Sequence, residues 1–190
     1  MTYDLSTKRV AILATDGFEQ SELFEPLDAL RDAGAKVEIV SPDEKSDGEI
    51  RGWNHGEWGE SIGVDRSVAA ADVDDYDALV LPGGVLNPDS LRLDRESVDF
   101  VRRFFAGHKP VAAICHGPWM VVEAGAAQGR RMTSYASIKT DLQNAGATWV
   151  DEEVVVDNGL VTSRSPADLD AFVGKLLEEI HEGEHAAQTV

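Results

Sequence analysis

Short, uninterrupted apolar runs, each closed by a turn signal and separated by amphipathic stretches, fix most of what this chain can become. Residues 8–14 read Lys-Arg-Val-Ala-Ile-Leu-Ala and are bounded by Thr15-Asp16-Gly17. That run is too brief for a helix and predicts a strand buried on both faces. From Ser21 onward, Leu23, Leu27 and Leu30 recur at three- and four-residue spacing, which predicts a helix; Ala33-Gly34-Ala35 stops it before a second strand over 36–40. The pattern repeats with the apolar Ala78–Leu81, closed by Pro82-Gly83-Gly84, an amphipathic stretch over 97–106, and the apolar Val111–Ile114. Strand, helix, strand alternation of this kind predicts a parallel sheet covered by helices on both faces.

The intervening stretch 42–74 is rich in Gly, Asp and Glu and reads as loop, with a hairpin as the alternative. Its Trp53, His55 and Trp58 have three open readings: cover over a pocket, an interface, or packing. Thr148-Trp149-Val150 predicts a strand, and Val154-Val155-Val156, the turn Asp157-Asn158-Gly159 and Leu160-Val161-Thr162-Ser163 predict a hairpin. A last helix begins near Pro166, with Leu169, Phe172, Val173, Leu176, Leu177 and Ile180 as its apolar stripe, and the acidic tail from Gly183 is expected to be flexible. With 190 residues, no linker and no repeat, one domain over 1–190 with its core at about 8–177 is expected.

Lysine and arginine total 17 against 35 for aspartate and glutamate, a net charge of -18. Such a polyanion repels phosphate backbones and anionic membranes, so neither nucleic acid nor a membrane is an expected partner. The first nine residues lack a signal-like apolar core, and no apolar run approaches the roughly 18 residues of a span, so a cytoplasmic location is expected. A single cysteine, Cys115, forms no internal disulfide and suits a reducing compartment.

Cys115 is also the most informative residue. Val111-Ala112-Ala113-Ile114-Cys115-His116-Gly117-Pro118 is an apolar strand running into helix-like sequence through a small-x-Cys-x-small turn. Small residues at 113 and 117 permit the sharp turn of a nucleophile elbow, which leaves the central side chain exposed at the carboxyl end of the sheet. The following helix would aim N–H groups and its positive end at the sulfur and lower its pKa. The competing reading is a buried, inert cysteine, but such a residue belongs inside the strand rather than at its turn. His116 is either its proton acceptor or a structural imidazole. Thr15-Asp16-Gly17-Phe18-Glu19-Gln20-Ser21-Glu22 ends the first strand, and open α/β sheets build their sites at that edge. Glu19 therefore either joins Cys115 or simply complements a helix start. Gly83 and Gly84 would supply an N–H opposite that of His116 for an oxyanion. Cys-x-x-Cys, His-Glu-x-x-His and phosphate-loop motifs are lacking, so neither a metal nor a cofactor is expected.

Taken together, Ala113-Ile114-Cys115-His116-Gly117-Pro118, Leu81-Pro82-Gly83-Gly84 and Asp16-Gly17-Phe18-Glu19 resemble the PfpI intracellular-protease family of the DJ-one superfamily. The similarity continues through Thr133-Ser134-Tyr135, Trp149-Val150-Asp151 and Thr162-Ser163-Arg164. The resemblance implies a single-domain, flavodoxin-like three-layer α/β sandwich with a mainly parallel sheet. It implies Cys115 as nucleophile, His116 as its partner, Glu19 sharing a proton with the sulfur, and Tyr135 lining the pocket. Asp89 of a neighbouring subunit would complete a triad, so a homodimer or larger homo-oligomer is implied. The implied substrates are a small carbonyl compound such as methylglyoxal, a peptide, or a glycated protein, in stress protection. The alternative implied role is a redox-responsive protein whose Cys115 is oxidised to sulfenic or sulfinic acid.

Overall fold

The computed structural model describes residues 3–42 and 48–190. The chain opens with β1 (Arg9–Leu13), the short β2 (Phe18–Glu19), α1 (Gln20–Asp32) and β3 (Lys36–Ser41). It continues through β4 (Glu49–Asn54), β5 (Glu57–Gly63), β6 (Arg66–Ser67), β7 (Ala78–Leu81), α2 (Leu86–Leu91) and α3 (Arg95–Ala106). Then come β8 (Val111–Ile114), α4 (Pro118–Glu123), β9 (Arg131–Met132), α5 (Lys139–Asn144), β10 (Thr148–Trp149), β11 (Val154–Asp157), β12 (Leu160–Ser163) and α6 (Leu169–Glu182).

Seven strands form the central sheet in the order β11-β12-β8-β7-β1-β3-β6. All its pairings are parallel except β11 with β12, a hairpin turning through Asn158-Gly159, both at positive φ. Alternation along the strands splits the core into two layers. Val10, Ile12, Ala78, Val80, Ala112 and Ile114 pack with Leu23, Leu27 and Leu30 of α1 and Phe172, Leu176 and Ile180 of α6. The intervening Ala11, Leu13, Leu79, Leu81, Val111 and Ala113 pack on the other face with Phe100, Phe104 and Phe105 of α3, Met120 and Val121 of α4 and Leu142 of α5. Strands buried on both faces need apolar residues at every position, which is why they read as continuous apolar runs. The result is the expected flavodoxin-like three-layer α/β sandwich.

Because β3 lies on one side of β1 and β7 on the other, the strand order reverses at β1. The carboxyl ends of β1, β7 and β8 thus open a crevice where the loops diverge, the usual place for a site in an open α/β sheet.

Two parts of the chain differ from the sequence reading. The stretch read first as loop takes the hairpin that stood as the alternative, β4–β5, turning through His55-Gly56, and β4 further pairs in parallel with β2. Trp53 and Trp58 pair edge-on across its strands at 5.4 Å between ring centres. Residues 43–47 of that stretch lie outside the described residues. The tail after Gly183, expected to be flexible, is docked: the His185 N–H donates to the His108 carbonyl at 2.8 Å, the Gln188 side chain is fully buried, and Arg130 donates to the Thr189 carbonyl. An acidic composition alone does not reveal backbone groups elsewhere in the fold that are waiting for partners. Among the described residues no helix is long and apolar enough to cross a membrane.

Candidate active site

The elbow forms as its sequence predicts. Cys115 sits in the left-handed region at φ 61, a conformation that costs a residue with a Cβ roughly 1–2 kcal/mol. Flanking hydrogen bonds hold it there: the Cys115 N–H donates to the Ser163 carbonyl at 3.0 Å, and its carbonyl accepts from the Tyr135 N–H at 2.8 Å. Gly117 is required by contact, since a Cβ there would lie 2.3 Å from the Leu81 carbonyl oxygen. Strain imposed by the surrounding structure at a reactive side chain is a mark of a functional position.

Four groups converge on the sulfur. The backbone N–H groups of Gly84 and His116 lie on the side of Sγ where they favour its charged form, and the Glu22 carboxyl faces it from the opposite element, with Oε1 buried and free of any hydrogen bond. His116 places Nδ1 3.2 Å from Sγ, while its Nε2 lies 3.0 Å from the Ser137 hydroxyl. The imidazole is clamped between the Tyr135 ring, stacked at 4.9 Å, and the edge-on Trp119 at 5.2 Å. The pocket above the thiol holds about 250 Å³, and Glu19, Trp53, Val85, Tyr135 and Pro166 line it with the reactive groups.

The acidic partner is Glu22, not Glu19. Glu22 is fully buried, and its Oε2 accepts the Gly83 N–H at 2.8 Å. Glu19 precedes the first turn of α1, at the pocket wall, and acts on the pair at one remove: its charge adds to the burial that pushes Glu22 up to about 8. The signal for Glu22 was in the sequence, because its position one turn before Pro26 and beside Leu23 belongs to the buried face of α1. The oxyanion assignment also divides. The Gly83 N–H is committed to Glu22, leaving Gly84 and His116 as the donors at the sulfur. Gly83 must remain glycine, because a Cβ there would stand 2.4 Å from Glu22 Oε2 and 2.7 Å from Cys115 Cβ.

The electrostatics reverse the expectation of a low-pKa thiol. Burial pushes the Cys115 thiol up, the Glu22 charge pushes it further, and the two backbone N–H groups oppose them. The helix behind the elbow, α4, is only six residues long, so its dipole is small against the desolvation. Burial also lowers the pKa of His116, favouring its neutral form. Neutral His116 with its proton on Nε2, donated to Ser137, leaves the Nδ1 lone pair facing the thiol.

Two supporting residues escaped the sequence reading. Asn87 is fully buried, accepts the Thr15 N–H at 2.8 Å, and donates to the carbonyls of Pro82 and Gly83 at 3.0 and 3.1 Å, tying the ends of β1 and β7 together. Ser137 lies 21 residues beyond His116, with no local pattern to connect them. Asp89 is exposed on α2 and outside the pocket lining, and within the chain Ser137 occupies His116 Nε2.

A doubly wound α/β sandwich with a strained cysteine elbow at the switch point, faced by a buried glutamate and a histidine, defines a class of cysteine-centred α/β proteins. Residues 8–179 match the DJ-1/PfpI family, and the chain belongs to that family. It is 41% identical over 170 residues to a protein named deglycase from Thermococcus kodakarensis, covering 90% of this chain and 98% of the relative. It is 42% identical over 166 residues to YraA of Bacillus subtilis, a protein bearing a cysteine-protease name, covering 87% and 94%. The crystal structure of a two-domain protein of Anabaena variabilis, containing DJ-1/ThiJ/PfpI-like and ferritin-like domains, superposes with a TM-score of 0.86 at 34% identity. That match covers 91% of this chain and 48% of the larger protein.

Proposed function

We propose that this protein is a Cys115-dependent enzyme that converts small reactive carbonyl compounds, with methylglyoxal and its adducts as the substrate class, in protection against carbonyl stress. The observation that carries this reading is the placement of the thiol: Cys115 is 7% exposed at the floor of a pocket of about 250 Å³, between Glu22 and His116. That volume is below the usual 300–1,000 Å³ of ligand pockets and suits a three-carbon dicarbonyl better than a peptide. The names of the relatives include both a deglycase and a cysteine protease.

The chemistry follows from the proton positions. The Cys115 sulfur adds to the aldehyde carbon as its proton passes to His116 Nδ1, and the carbonyl oxygen takes the proton of Glu22, giving a hemithioacetal. The Glu22 carboxylate, now charged in a desolvated site, is a strong base and removes the hydrogen from the former aldehyde carbon. His116 returns its proton to the adjacent ketone oxygen, giving an enediol. Protonation of the second carbon by Glu22, with loss of the first hydroxyl proton to His116, yields a lactoyl thioester. Water cleaves the thioester to lactate and free thiol, so the net change is methylglyoxal plus water to lactate.

Peptide cleavage needs an imidazolium that protonates a leaving amine. Within this chain His116 Nε2 faces a hydroxyl, and Asp89 belongs to that reaction only as a contribution from a second copy. A second reading rests on the same sulfur: peroxide oxidises Cys115 stepwise to a sulfinic acid, which protonated Glu22 and the Gly84 and His116 N–H groups hold.

The test is lactate formation from methylglyoxal by freshly reduced protein, followed over many equivalents with Cys115→Ala as the blank. Sustained, Cys115-dependent production is expected. No product beyond one equivalent, with the thiol titrated as reduced, overturns the enzyme reading in favour of the redox one.

A further inference from the structure

We propose that Glu179, Glu182 and His185 bind a zinc-type divalent cation where α6 meets the C-terminal tail. Glu179 and Glu182 lie one turn apart near the end of α6, and Gly183, at φ 91, turns the chain so that His185 returns over them. One donor atom from each residue falls within 4.8 Å of the others. The His185 backbone N–H is anchored on the His108 carbonyl at 2.8 Å, so the imidazole is held in place rather than left on a loose tail.

The cluster is more than acidic surface. Glu179 is 6% exposed, and its Oε2 is buried without a hydrogen bond. His185 Nε2 lies 3.0 Å from that oxygen, near enough to pair, yet it too is buried and makes no hydrogen bond. The two atoms thus sit 3.0 Å apart as an ion pair, without a hydrogen bond that satisfies either. A cation between the two would satisfy both atoms, with Glu182 as third ligand. Gln188, fully buried with neither amide atom bonded, stands beside His185 against Gly159 and adds polar capacity around the same spot.

Donor chemistry selects the metal. One imidazole nitrogen with two carboxylates, leaving the fourth position to water, suits zinc, whereas magnesium and calcium prefer all-oxygen shells. Two carboxylates also balance the charge of a divalent ion. The Glu-x-x-Glu-x-x-His spacing matches no sequence motif, which is why the sequence reading expected no metal. Bound zinc would pin the tail to α6.

The experiment uses the full-length, untagged protein in a Cys115→Ala background, so that the thiol contributes no ligand. After chelator treatment it is dialysed to equilibrium against zinc chloride. One zinc per chain is expected, with affinity weakened about tenfold or more by His185→Ala and by Glu182→Ala. Glu182 is exposed, so its replacement leaves the fold intact, which circular dichroism of the metal-free variants checks. Cobalt in place of zinc is expected to give visible absorption that His185→Ala removes. Absence of saturable uptake, or uptake unchanged in both variants, overturns the proposal and leaves an ordinary buried ion pair.

Discussion

Replacing Glu22 with glutamine is expected to stabilise the protein at neutral and alkaline pH. Burial, reinforced by the charge of Glu19 and opposed by the Gly83 N–H, moves this carboxyl from 4.5 to about 8. The fold therefore favours its acid form. Stability linked to this group is complete below pH 4.5 and is lost as pH rises through about 8, because the unfolded chain ionises first. At 1.36 kcal/mol per pH unit, the loss is about 1 kcal/mol at pH 5, about 3 at pH 7 and about 4 at pH 8. Glutamine reproduces the acid form: its oxygen accepts the Gly83 N–H, its amide takes the place of the buried Oε1, and it does not titrate. Urea unfolding of Glu22→Gln and the unmodified protein at a series of pH values isolates the term, since the other groups titrate in both. The variant's advantage is expected to grow by about 3 kcal/mol between pH 5 and pH 8. Curves parallel to within about 0.5 kcal/mol would refute the reasoning, meaning that Glu22 ionises in the fold as it does in water.

Two further outcomes follow from the elbow. Cys115→Gly is expected to be about 1 kcal/mol more stable than Cys115→Ala, because both lose the sulfur and only alanine retains the left-handed strain at φ 61; urea midpoints decide it, and an alanine variant of equal or greater stability counts against stored strain. Gly117→Ala places a methyl 2.3 Å from the Leu81 carbonyl, between two rigid strand ends, and is expected to cost about 2 kcal/mol or more and to slow alkylation of Cys115. A loss under about 0.5 kcal/mol would show that the elbow relaxes freely.

The sequence made the architecture legible where a local pattern has a single tertiary solution. Apolar runs such as Val111–Ile114 can hardly be anything but strands buried on both faces, and a cysteine between Ile114 and His116-Gly117-Pro118 can hardly avoid the strand end. The hairpin carrying Trp53 was harder, because alternating polar residues around His55-Gly56 fit a loop as well as a strand pair that leans on β2. The docked tail was invisible, since its partners His108, Arg130 and Gly159 come from three distant turns.

The chain by itself determined the apolar strands of its central sheet, the amphipathic helices α1, α3 and α6, the turn that sets Cys115 at a strand end and the glycines that let β7 end close beside it. Those features depend on backbone sterics and hydrophobic periodicity, which act over a few residues. Only the tertiary structure decided that Glu22 rather than Glu19 meets the sulfur, that Gly83 serves the glutamate while Gly84 serves the thiol, and that Ser137 holds the histidine. Glu22 stands in the first turn of α1 whereas Glu19 precedes it in extended backbone, and how the helix is rolled against the sheet brings Glu22 to the sulfur and leaves Glu19 at the pocket wall. That roll is set by Leu23, Leu27 and Leu30 packing into the core layer that holds Ile12 of β1, Ile39 of β3, Val80 of β7 and Ile114 of β8, a packing event spread over strands about a hundred residues apart in the chain. The same seating places Glu22 where water is excluded, and exclusion of water turns an ordinary carboxyl into a proton carrier at neutral pH.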